Sequence, residues 1–397
     1  MRNRKYLILF VVILLNGCLI QSSGKKKVRI ETGAEQTEKY IPLLKNKKIA
    51  IVANHTTNIN GSHLVDSLLS LGIKIEKIFS PEHGFRGNAD AGEHVKNYTD
   101  KKTGLPVISL YGSSKKPRLE DLTGVDIVVF DLQDVGVRFY TYISTMHYVM
   151  EACAEKNVEL LILDRPNPNG FYIDGPILDT SFTSFVGMHP VPIVHGMTIA
   201  EYAQMINGEG WLKNGLKCKL NYISCENYTH DSLYQLPVNP SPNLQNMLSV
   251  YLYPSLGLFE GTSYSAGRGT EFPFQVYGSP DYQNGNFTFT PVRIDGASKY
   301  PKYRGVLCNG VDLRSIDIES FINRKSIKLE WIVDAYNNTL KKDEFFNTFF
   351  YNITGNKLLR DQIEQGKTGN EIKESWQIDL NKFKQKRKRY LIYKDFE

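Results

Sequence analysis

The chain of 397 residues is poor in cysteine and carries no strong excess of either charge. Five cysteines are too few for the disulfide framework that stabilises small secreted domains. Lys and Arg number 48 against 42 Asp and Glu, and three of the basic residues lie within the first five positions. The remaining excess is too small for a surface that follows nucleic-acid phosphates, so no nucleic-acid partner is expected. The 41% hydrophobic content instead predicts a globular body with a sizeable core, and the length favours about two domains.

Several catalytic and cofactor-binding motifs are absent. The sequence contains no GxxxxGK[ST], and its glycine cluster at residues 261–269 lies far beyond a first strand-to-helix turn, which disfavours a bound nucleotide. It has neither HExxH nor GxSxG. Four of the eight histidines are candidate metal ligands: His55, His83, His189 and His195. None is paired at i, i+4, so a metal site is disfavoured and no cofactor is expected.

The first residues have the pattern of an export signal. A basic start is followed by an apolar run at residues 6–15, which is shorter than the ~20 residues that span a bilayer and resembles the core of a signal peptide. The next residues, Leu15-Asn16-Gly17-Cys18, resemble a bacterial lipobox. We therefore expect a signal peptide at residues 1–17, lipidation at Cys18, a tether over residues 18–39 and a lipoprotein on a membrane of the cell envelope. An ordinary signal peptide with an incidental cysteine is the alternative.

The other cysteines, Cys153, Cys218, Cys225 and Cys308, show no metal-ligand spacing. Cys218 and Cys225 lie on one extended run, which would separate their Cα atoms by ~23 Å, beyond the ~7 Å limit for a disulfide. The sequence therefore predicts buried thiols.

Strand and helix patterns alternate through the first half of the chain. Strands are predicted at residues 47–53, 73–79, 106–110, 125–132 and 158–163. Helices are predicted at residues 62–71, 140–156 and 197–208, the last with Thr198 as its N-cap and Glu201 in the capping-box position. The run at 125–132 is nearly all apolar, as in a strand buried on both faces. This alternation predicts an α/β domain with a Rossmann-like, mostly parallel sheet over residues 40–250.

Polar side chains follow four of these strands: Asn54, His55, Glu82, His83, Asp131, Gln133, Asp134, Asp164, Arg165 and Asn167. The carboxyl ends of parallel strands meet at one edge of the sheet, where open α/β sheets bind ligands. A single such residue is equally well explained as a helix cap or turn former. Contributions from four strands favour a binding site.

Beyond about residue 250 the pattern changes. Residues 253–274 are rich in Gly, Ser and Tyr and predict long loops. A strand is predicted at 287–294 and helices near 326–339, 356–365 and 371–382. We therefore expect a second, smaller α+β domain at residues 251–397.

The polar residues that remain as candidates are carboxylates, amides, arginines and tyrosines, which suit a carbohydrate. Amides and carboxylates bind hydroxyl groups, aromatic faces stack on sugar C–H surfaces, and a pair of carboxyl groups can hydrolyse a glycosidic bond.

Several ungapped blocks carry a resemblance to a known family. The most specific is SPEHGFRG at residues 80–87. The others are VANH (52–55), DLQDVGVRFYTY (131–142), LDRPNPN (163–169), FVGMHP (185–190), HGM (195–197), PSPN (240–243), LFEGT (258–262) and GRGT (267–270). Together they resemble the exo-β-N-acetylmuramidases, a family of glycoside hydrolases. The resemblance implies release of N-acetylmuramic acid from the non-reducing ends of peptidoglycan fragments, with the active-site cleft between a Rossmann-like domain and a smaller one.

The resemblance assigns the role of catalytic acid to Glu82. A general acid needs apolar cover to keep its proton, and Pro81 and Phe85 can supply it. A cationic His83 or Arg86 beside it would oppose that role, and a structural pairing with Arg86 is the alternative.

The second catalytic group is left open by the sequence. The candidates are Asp131, Asp134, Asp164 and Glu260, and His83 is grouped with the catalytic residues. Assistance by the N-acetyl group of the substrate is a third route besides the retaining and inverting ones.

N-Acetylmuramic acid carries a lactyl carboxylate, which a fixed arginine can bind through two hydrogen bonds. The candidates are Arg86, Arg138, Arg165 and Arg268, each of which can instead form a structural ion pair. Phe139, Tyr140, Tyr142 and Tyr264 are candidates for stacking on the sugar or for the core. The remaining predicted substrate contacts are Asn54, Asp164, Asn167, His189, His195, Asn243 and Glu260. A non-catalytic muropeptide-binding protein and a metal-dependent hydrolase of another bond are the alternative functions.

Overall fold

The structure is a computed structural model that describes residues 29–87, 96–112 and 114–397. Its strands, in chain order, are β1 (Lys48–Ala53), β2 (Asn58–Ile59), β3 (Ser62–His63), β4 (Lys74–Ser80), β5 (Tyr98–Thr99), β6 (Pro106–Ser109), β7 (Ile127–Asp131), β8 (Glu159–Leu163), β9 (Lys219–Ile223), β10 (Val276–Ser279), β11 (Phe287–Phe289) and β12 (Cys308–Asp312). The α-helices are α1 (Thr37–Leu44), α2 (Leu64–Ser70), α3 (Tyr142–Lys156), α4 (Ile199–Glu209), α5 (Met247–Leu256), α6 (Ile318–Asn323), α7 (Glu330–Asn337), α8 (Phe349–Thr354), α9 (Leu358–Glu364), α10 (Gly369–Ser375) and α11 (Gln377–Arg387).

Seven strands form one sheet in the order β5-β6-β4-β1-β7-β8-β9. Neighbouring strands are parallel except for the edge pair β5 and β6. The chain runs outward from β1 to β4 and β6 and then returns to β7, so the strand order reverses between β1 and β7. This arrangement confirms the predicted α/β class with a mostly parallel sheet.

Hydrophobic clusters cover both faces of the sheet. Ala50 and Val52 of β1 join a large cluster with residues of α3 and α4. Ile49 and Ile51 point the other way and join a smaller cluster with α1 and α2. All residues of β7 are buried, which explains why its sequence is nearly all apolar.

Local sequence signals fix the ends of the helices. The Thr198 hydroxyl accepts a hydrogen bond from the Glu201 backbone N–H, and the Glu201 carboxylate accepts one from the Thr198 N–H at 2.9 Å, so α4 begins at the predicted capping box. Helix α3 ends at Asn157, whose φ of 57° is left-handed.

The second part of the chain contains a three-stranded antiparallel sheet in the order β10-β12-β11. Helices α6 to α11 belong to the same part of the chain, and their buried hydrophobic residues join the same large cluster as α3 and α4. The two parts therefore share one continuous core.

Three predicted elements differ from the structure. The loop expected at 253–274 begins with the end of α5 and a 3₁₀-helix at Gly257–Gly261, because its Leu, Phe and Tyr side chains are buried against the core. The strand expected at 287–294 ends at Phe289. The helix expected at 371–382 is divided at Trp376, whose indole N–H donates to the buried carboxylate of Asp174 at 3.0 Å.

The predicted tether is folded over its second half. Thr32, Ala34 and Gln36 are buried, and the Gly33 N–H donates to the Asp164 carbonyl at 2.8 Å. Residues 29–39 therefore pack against the sheet. The predicted signal peptide (1–17), Cys18 and the tether up to residue 28 lie outside the described residues.

Cys153, Cys218, Cys225 and Cys308 are buried and unbridged, which confirms the prediction of buried thiols. Within the described ranges, the chain forms no helix long and apolar enough to cross a bilayer.

Candidate active site

A cavity of about 710 Å³ opens at the carboxyl edge of the large sheet. The first part of the chain lines it with Glu82 after β4, Tyr111 after β6 and residues 139–142 after β7. The second part adds Glu260, Arg268 and Phe274. The cleft between the two parts is thus formed by the ends of three parallel strands and the segment that follows α5.

Glu82 lies on a tight turn after β4. The next two residues, His83 and Gly84, both have left-handed φ values, 72° and 76°, and the Gly84 N–H donates to the Pro81 carbonyl at 3.1 Å. For a histidine this conformation costs on the order of 1 kcal/mol, which the surrounding contacts must offset. The turn directs the half-buried Glu82 and the buried His83 into the wall of the cavity.

Two hydroxyl groups hold the Glu82 carboxyl. The Thr141 hydroxyl, at the N-terminal end of α3, donates to Glu82 Oε2 at 2.9 Å. The Tyr111 hydroxyl also forms a hydrogen bond with the Glu82 side chain, and burial together with this carboxylate raises the pKa of Tyr111. The carboxyl therefore receives hydrogen bonds from two neutral hydroxyl groups, and the positive charge of Arg268 also interacts with it.

Arg86 points into another network. Its guanidinium pairs with Asp100 at 2.9 Å and Asp66 at 3.4 Å, and it packs over the Phe85 ring. Arg86 does not line the cavity. Phe85 is fully buried, its ring packs edge to face with His63 and under the Arg86 guanidinium, and it does not line the cavity.

The second part contributes an ion pair that faces the cavity. Arg268 Nε donates to both oxygens of Glu260 at 3.1 Å, and the guanidinium lies over the Phe274 ring. Burial opposes ionisation of Glu260, but the charges of Arg268 and Lys302 outweigh it, so the pKa of Glu260 lies below its usual value. Glu260 is therefore ionised at neutral pH.

Lys302 fixes the segment that carries this pair. Its ammonium donates to the carbonyls of Phe259, Glu260, Thr262 and Tyr264 at 2.7–3.1 Å. These carbonyls belong to the 3₁₀-helix and the turn after it, so the ammonium holds together the backbone that carries Glu260.

Tyrosines form the floor of the cavity. Tyr140 and Tyr142 pack edge to face at 4.9 Å between centroids, and Tyr253 lies against Tyr140 at 6.1 Å. The Tyr140 hydroxyl donates to the Pro240 carbonyl, and Asn54 Nδ2 donates to the Tyr142 hydroxyl at 2.6 Å. Asn54 itself is fully buried and supports the floor from below. Tyr264, the remaining stacking candidate, is a core residue that donates to the Ala335 carbonyl.

Most of the predicted strand-end residues are buried outside the cavity, where they bond to other groups of the protein. Asp131 and Arg165 form a buried bidentate ion pair, with Oδ2 and Nη2 2.9 Å apart. The Asp164 carboxylate accepts from the Tyr393 hydroxyl at 2.6 Å and the Ala200 N–H at 3.0 Å, and burial raises its pKa to about 6. Asn167 donates to the Met197 carbonyl. These four side chains do not line the cavity.

Asp134 and His195 are a second buried group outside the cavity lining. Asp134 Oδ2 accepts from the Gly136 N–H at 2.7 Å and lies 4.0 Å from His195 Nε2. Burial raises the pKa of Asp134 to about 7 and lowers that of His195 to about 3. His195 is therefore neutral at pH 7, whereas Asp134 is largely protonated only below pH 7.

Arg138, His189 and Asn243 also have structural partners. Arg138 is fully buried and donates to four backbone carbonyls, two of them, at Ile353 and Thr354, in α8. His189 lies between His147 and the Tyr202 hydroxyl. Asn243 Nδ2 donates to the Ala297 carbonyl at 2.8 Å and so holds a segment of the cavity wall.

Of the residues predicted for the site, the cavity brings together Glu82, His83, Phe139, Tyr140, Tyr142, Glu260 and Arg268. Sequence reasoning missed Tyr111, Thr141, Tyr253, Tyr300 and Phe349. Tyr111 had the same signal as Glu82, since both follow a strand of the parallel sheet. Within the described part of the chain, His, Cys, Asp and Glu form no group of three or more that could hold a metal ion.

These features define a two-part α/β protein whose cavity combines two carboxyl groups, an arginine and aromatic rings, as carbohydrate sites do. Family models for the exo-beta-N-acetylmuramidase NamZ match the chain with their N-terminal domain at residues 49–248 and their C-terminal domain at 251–393. The chain belongs to this family.

Individual relatives agree with this assignment. The peptidoglycan beta-N-acetylmuramidase NamZ of Bacillus subtilis (strain 168) is 39% identical over 93% of this chain and 92% of its own length. The crystal structure of a DUF1343 family protein from Bacteroides fragilis NCTC 9343 covers 93% of this chain and 100% of its own, with a TM-score of 0.86 and 49% identity. A second DUF1343 family structure from that organism has a TM-score of 0.80 and 28% identity over 92% of this chain and 100% of its own.

Proposed function

We propose that this chain is an exo-acting glycoside hydrolase that releases β-1,4-linked N-acetylmuramic acid from the non-reducing ends of peptidoglycan fragments, in cell-wall turnover. The observation that carries the proposal is the oriented carboxyl of Glu82 in the same cavity as the Glu260–Arg268 pair. The curated relative from Bacillus subtilis, at 39% identity, supports the same reaction and substrate class.

Glu82 acts as the general acid. Its proton passes to the glycosidic oxygen as the bond between that oxygen and C1 of the terminal sugar breaks, and positive charge develops on the sugar ring. Thr141 and Tyr111 hold the carboxyl in one orientation through hydrogen bonds from neutral hydroxyl groups.

Glu260 is the best placed second carboxylate. It lines the cavity and is ionised, so it can stabilise the positive charge on the ring or orient the group that attacks C1. Asp131, Asp134 and Asp164 are removed from these roles because they lie outside the cavity lining among buried protein partners.

Arg268 binds the lactyl carboxylate of the sugar. Both of its hydrogen bonds to Glu260 use Nε, so among the described residues the two Nη groups have no protein acceptor. A guanidinium with two terminal nitrogens available is suited to a bidentate contact with a carboxylate. The other three candidate arginines are occupied by structural partners.

Membrane attachment is part of this proposal and rests on the sequence of residues 1–18 alone. A thioether-linked lipid at Cys18 would hold the enzyme in the cell envelope, where peptidoglycan fragments are produced. Incorporation of a radiolabelled fatty acid into the full chain, and its loss in Cys18→Ala, is the expected result. Labelling that persists in the variant would overturn the lipid assignment.

The test of the reaction is hydrolysis of a chromogenic β-N-acetylmuramide beside the matching β-N-acetylglucosaminide. We expect the purified full chain to release the chromophore from the muramide with strong preference. Glu82→Gln should abolish release, while Glu120→Gln, at an exposed glutamate far from the cavity lining, should leave it unchanged. Release from neither glycoside, with intact binding of muropeptides, would make the protein a binder rather than an enzyme.

A further inference from the structure

Two aromatic rings of the cavity wall are open to solvent. Tyr300 is 83% exposed and Phe349 is 41% exposed, although both line the cavity that contains Glu82. Most of the other cavity aromatics are buried, as shown by Phe274 at 1% and Tyr253 at 9% exposed. This difference places Tyr300 and Phe349 at the mouth of the cavity, with the buried rings deeper inside.

The backbone beneath Tyr300 is fixed, although its ring is exposed. Asn243 Nδ2 donates to the Ala297 carbonyl, and the Ser298 N–H donates to the Ile294 carbonyl at 2.8 Å. On the other side, the Lys302 ammonium is held by four carbonyls of the Glu260 segment. The segment that presents Tyr300 is therefore anchored at both ends.

Phe349 is presented in a similar way. The Phe349 N–H donates to Asn347 Oδ1 at 2.9 Å, where α8 begins, and the next residue, Phe350, is fully buried. Within the described ranges, neither the Tyr300 ring nor the Phe349 ring packs against another aromatic ring. Two anchored, exposed rings at the mouth of one cavity have the character of a binding surface.

We propose that Tyr300 and Phe349 form a stacking subsite for the sugar on the leaving-group side of the scissile bond. This inference rests on the proposed function. An exo-acting enzyme takes the terminal sugar deepest, so the next ring of the chain must lie where the cavity opens. That ring is an N-acetylglucosamine, which has no carboxylate and offers apolar C–H faces that pack on aromatic side chains.

The subsite predicts that a second sugar increases affinity, and that the increase depends on the two rings. Binding is measured by calorimetry with the full chain made inactive by Glu82→Gln, using N-acetylmuramic acid and the disaccharide N-acetylmuramyl-β-1,4-N-acetylglucosamine. We expect the disaccharide to bind about tenfold more tightly than the monosaccharide. In that background Tyr300→Ala should remove most of this gain, and Phe349→Ala a smaller share, because its ring is less exposed at the mouth.

Three controls separate stacking from damage to the fold. Tyr300→Trp should retain the gain, because it preserves an aromatic face. Tyr222→Ala, at an exposed tyrosine of β9 outside the cavity lining, should not alter it. Equal weakening of monosaccharide and disaccharide by Tyr300→Ala would overturn the subsite, and so would an unchanged disaccharide affinity. If the parent protein binds neither sugar, the proposed function itself fails, and the subsite with it.

Discussion

Two arginine–carboxylate pairs in this protein have opposite surroundings. Asp131 ends β7 and Arg165 follows β8, and both are almost completely buried among protein groups. Glu260 and Arg268 come from the segment after α5, and each is about a quarter exposed, at 26% and 25%, in the wall of the cavity. The first pair completes a structural layer at the end of the sheet, and the second is available to a ligand.

The difference shows how this protein builds a site on a parallel sheet. Ligands of open α/β sheets commonly bind where the strand order reverses. Here that position, between β1 and β7, is filled by Asn54, Thr57 and Asp131. The Asn54 N–H donates to the Thr57 hydroxyl, the Thr57 hydroxyl donates to the Asp131 carbonyl, and the Asn54 side-chain oxygen accepts from a backbone N–H. The cavity lies above this layer, and its chemistry comes from one strand end, Glu82, and from the second part of the chain.

The largest effect on activity is expected for substitution of Glu82, which lines the cavity and is not part of the buried layer at the end of the sheet. Glu82→Gln removes the transferable proton and should lower kcat on the muramide by at least about 10³-fold. The free energy of unfolding should stay within about 0.5 kcal/mol of the parent value, since Glu82 is only half-buried. The assay measures kcat, and a denaturant titration of the same variant measures the free energy of unfolding. If the variant lost stability but kept its activity, Glu82 would have a structural role rather than a catalytic one.

The second effect concerns the buried pair. Arg165→Met leaves the Asp131 carboxylate buried without its partner and should lower the free energy of unfolding by about 3–5 kcal/mol. The folded fraction should keep its KM for the muramide, because Arg165 does not line the cavity. A stable variant with a raised KM would show that Arg165 contacts the substrate after all, and the contrast between the two pairs would fail.

The third effect concerns the cavity pair. Arg268→Met should raise KM for the muramide by about 10–100-fold, the loss of a charge-assisted contact of about 1.5–3 kcal/mol. KM for the N-acetylglucosaminide, which lacks the lactyl carboxylate, should change less than threefold. Arg268→Lys should recover only part of the loss because an ammonium cannot donate to both oxygens in one plane. An equal change for both glycosides would assign Arg268 to the support of Glu260.

The smallest effect is the pH dependence of stability through Asp134. Its pKa of about 7 in the folded protein exceeds its ordinary value of 3.8 because of burial. Between these values the unfolded chain binds fewer protons than the folded one, so the free energy of unfolding falls as pH rises. Asp134→Asn removes this dependence. As pH rises from 5 to 7, the free energy of unfolding of the variant should therefore increase relative to that of the parent by about 1 kcal/mol per pH unit.

Denaturation at pH 5, 6 and 7 measures this slope. Asp295→Asn, at an exposed aspartate with a side chain 73% accessible, serves as the matched control and should give parallel curves. Parallel curves for Asp134→Asn as well would show that this carboxyl is ionised in the folded protein across the range.

The sequence predicted the large sheet well because its strands are short apolar runs bounded by turn residues. The predicted strand at 158–163 differs from β8 by one residue, and the capping box at Thr198 was correct. The sequence could not show that Arg138 is structural and that Arg268 faces the cavity, because both were simply arginines in candidate motifs. Only the packing of α8 over Arg138 makes that arginine structural.

The strand-end residues illustrate the same limit. Proximity of Asp131, Asp164 and Arg165 at one edge followed from the parallel topology. Whether such groups bind each other or a ligand depends on which other segments pack at this edge of the sheet. Here the hydroxyl of Tyr393, which is distant in sequence, donates to the Asp164 carboxylate. The exposure of Tyr300 and Phe349 likewise depends on tertiary placement and leaves no local pattern.

The end of the chain has a consequence for the stability of the first part. The Tyr393 hydroxyl donates to Asp164, the Ile392 N–H donates to Glu201, and Arg387 donates to the Gly196 carbonyl. Buried acceptors of the first part thus obtain their partners from residues 387–393. Without residues 387–393 these buried acceptors would lose their donors, so we expect the first part of the chain to depend on the second for its stability.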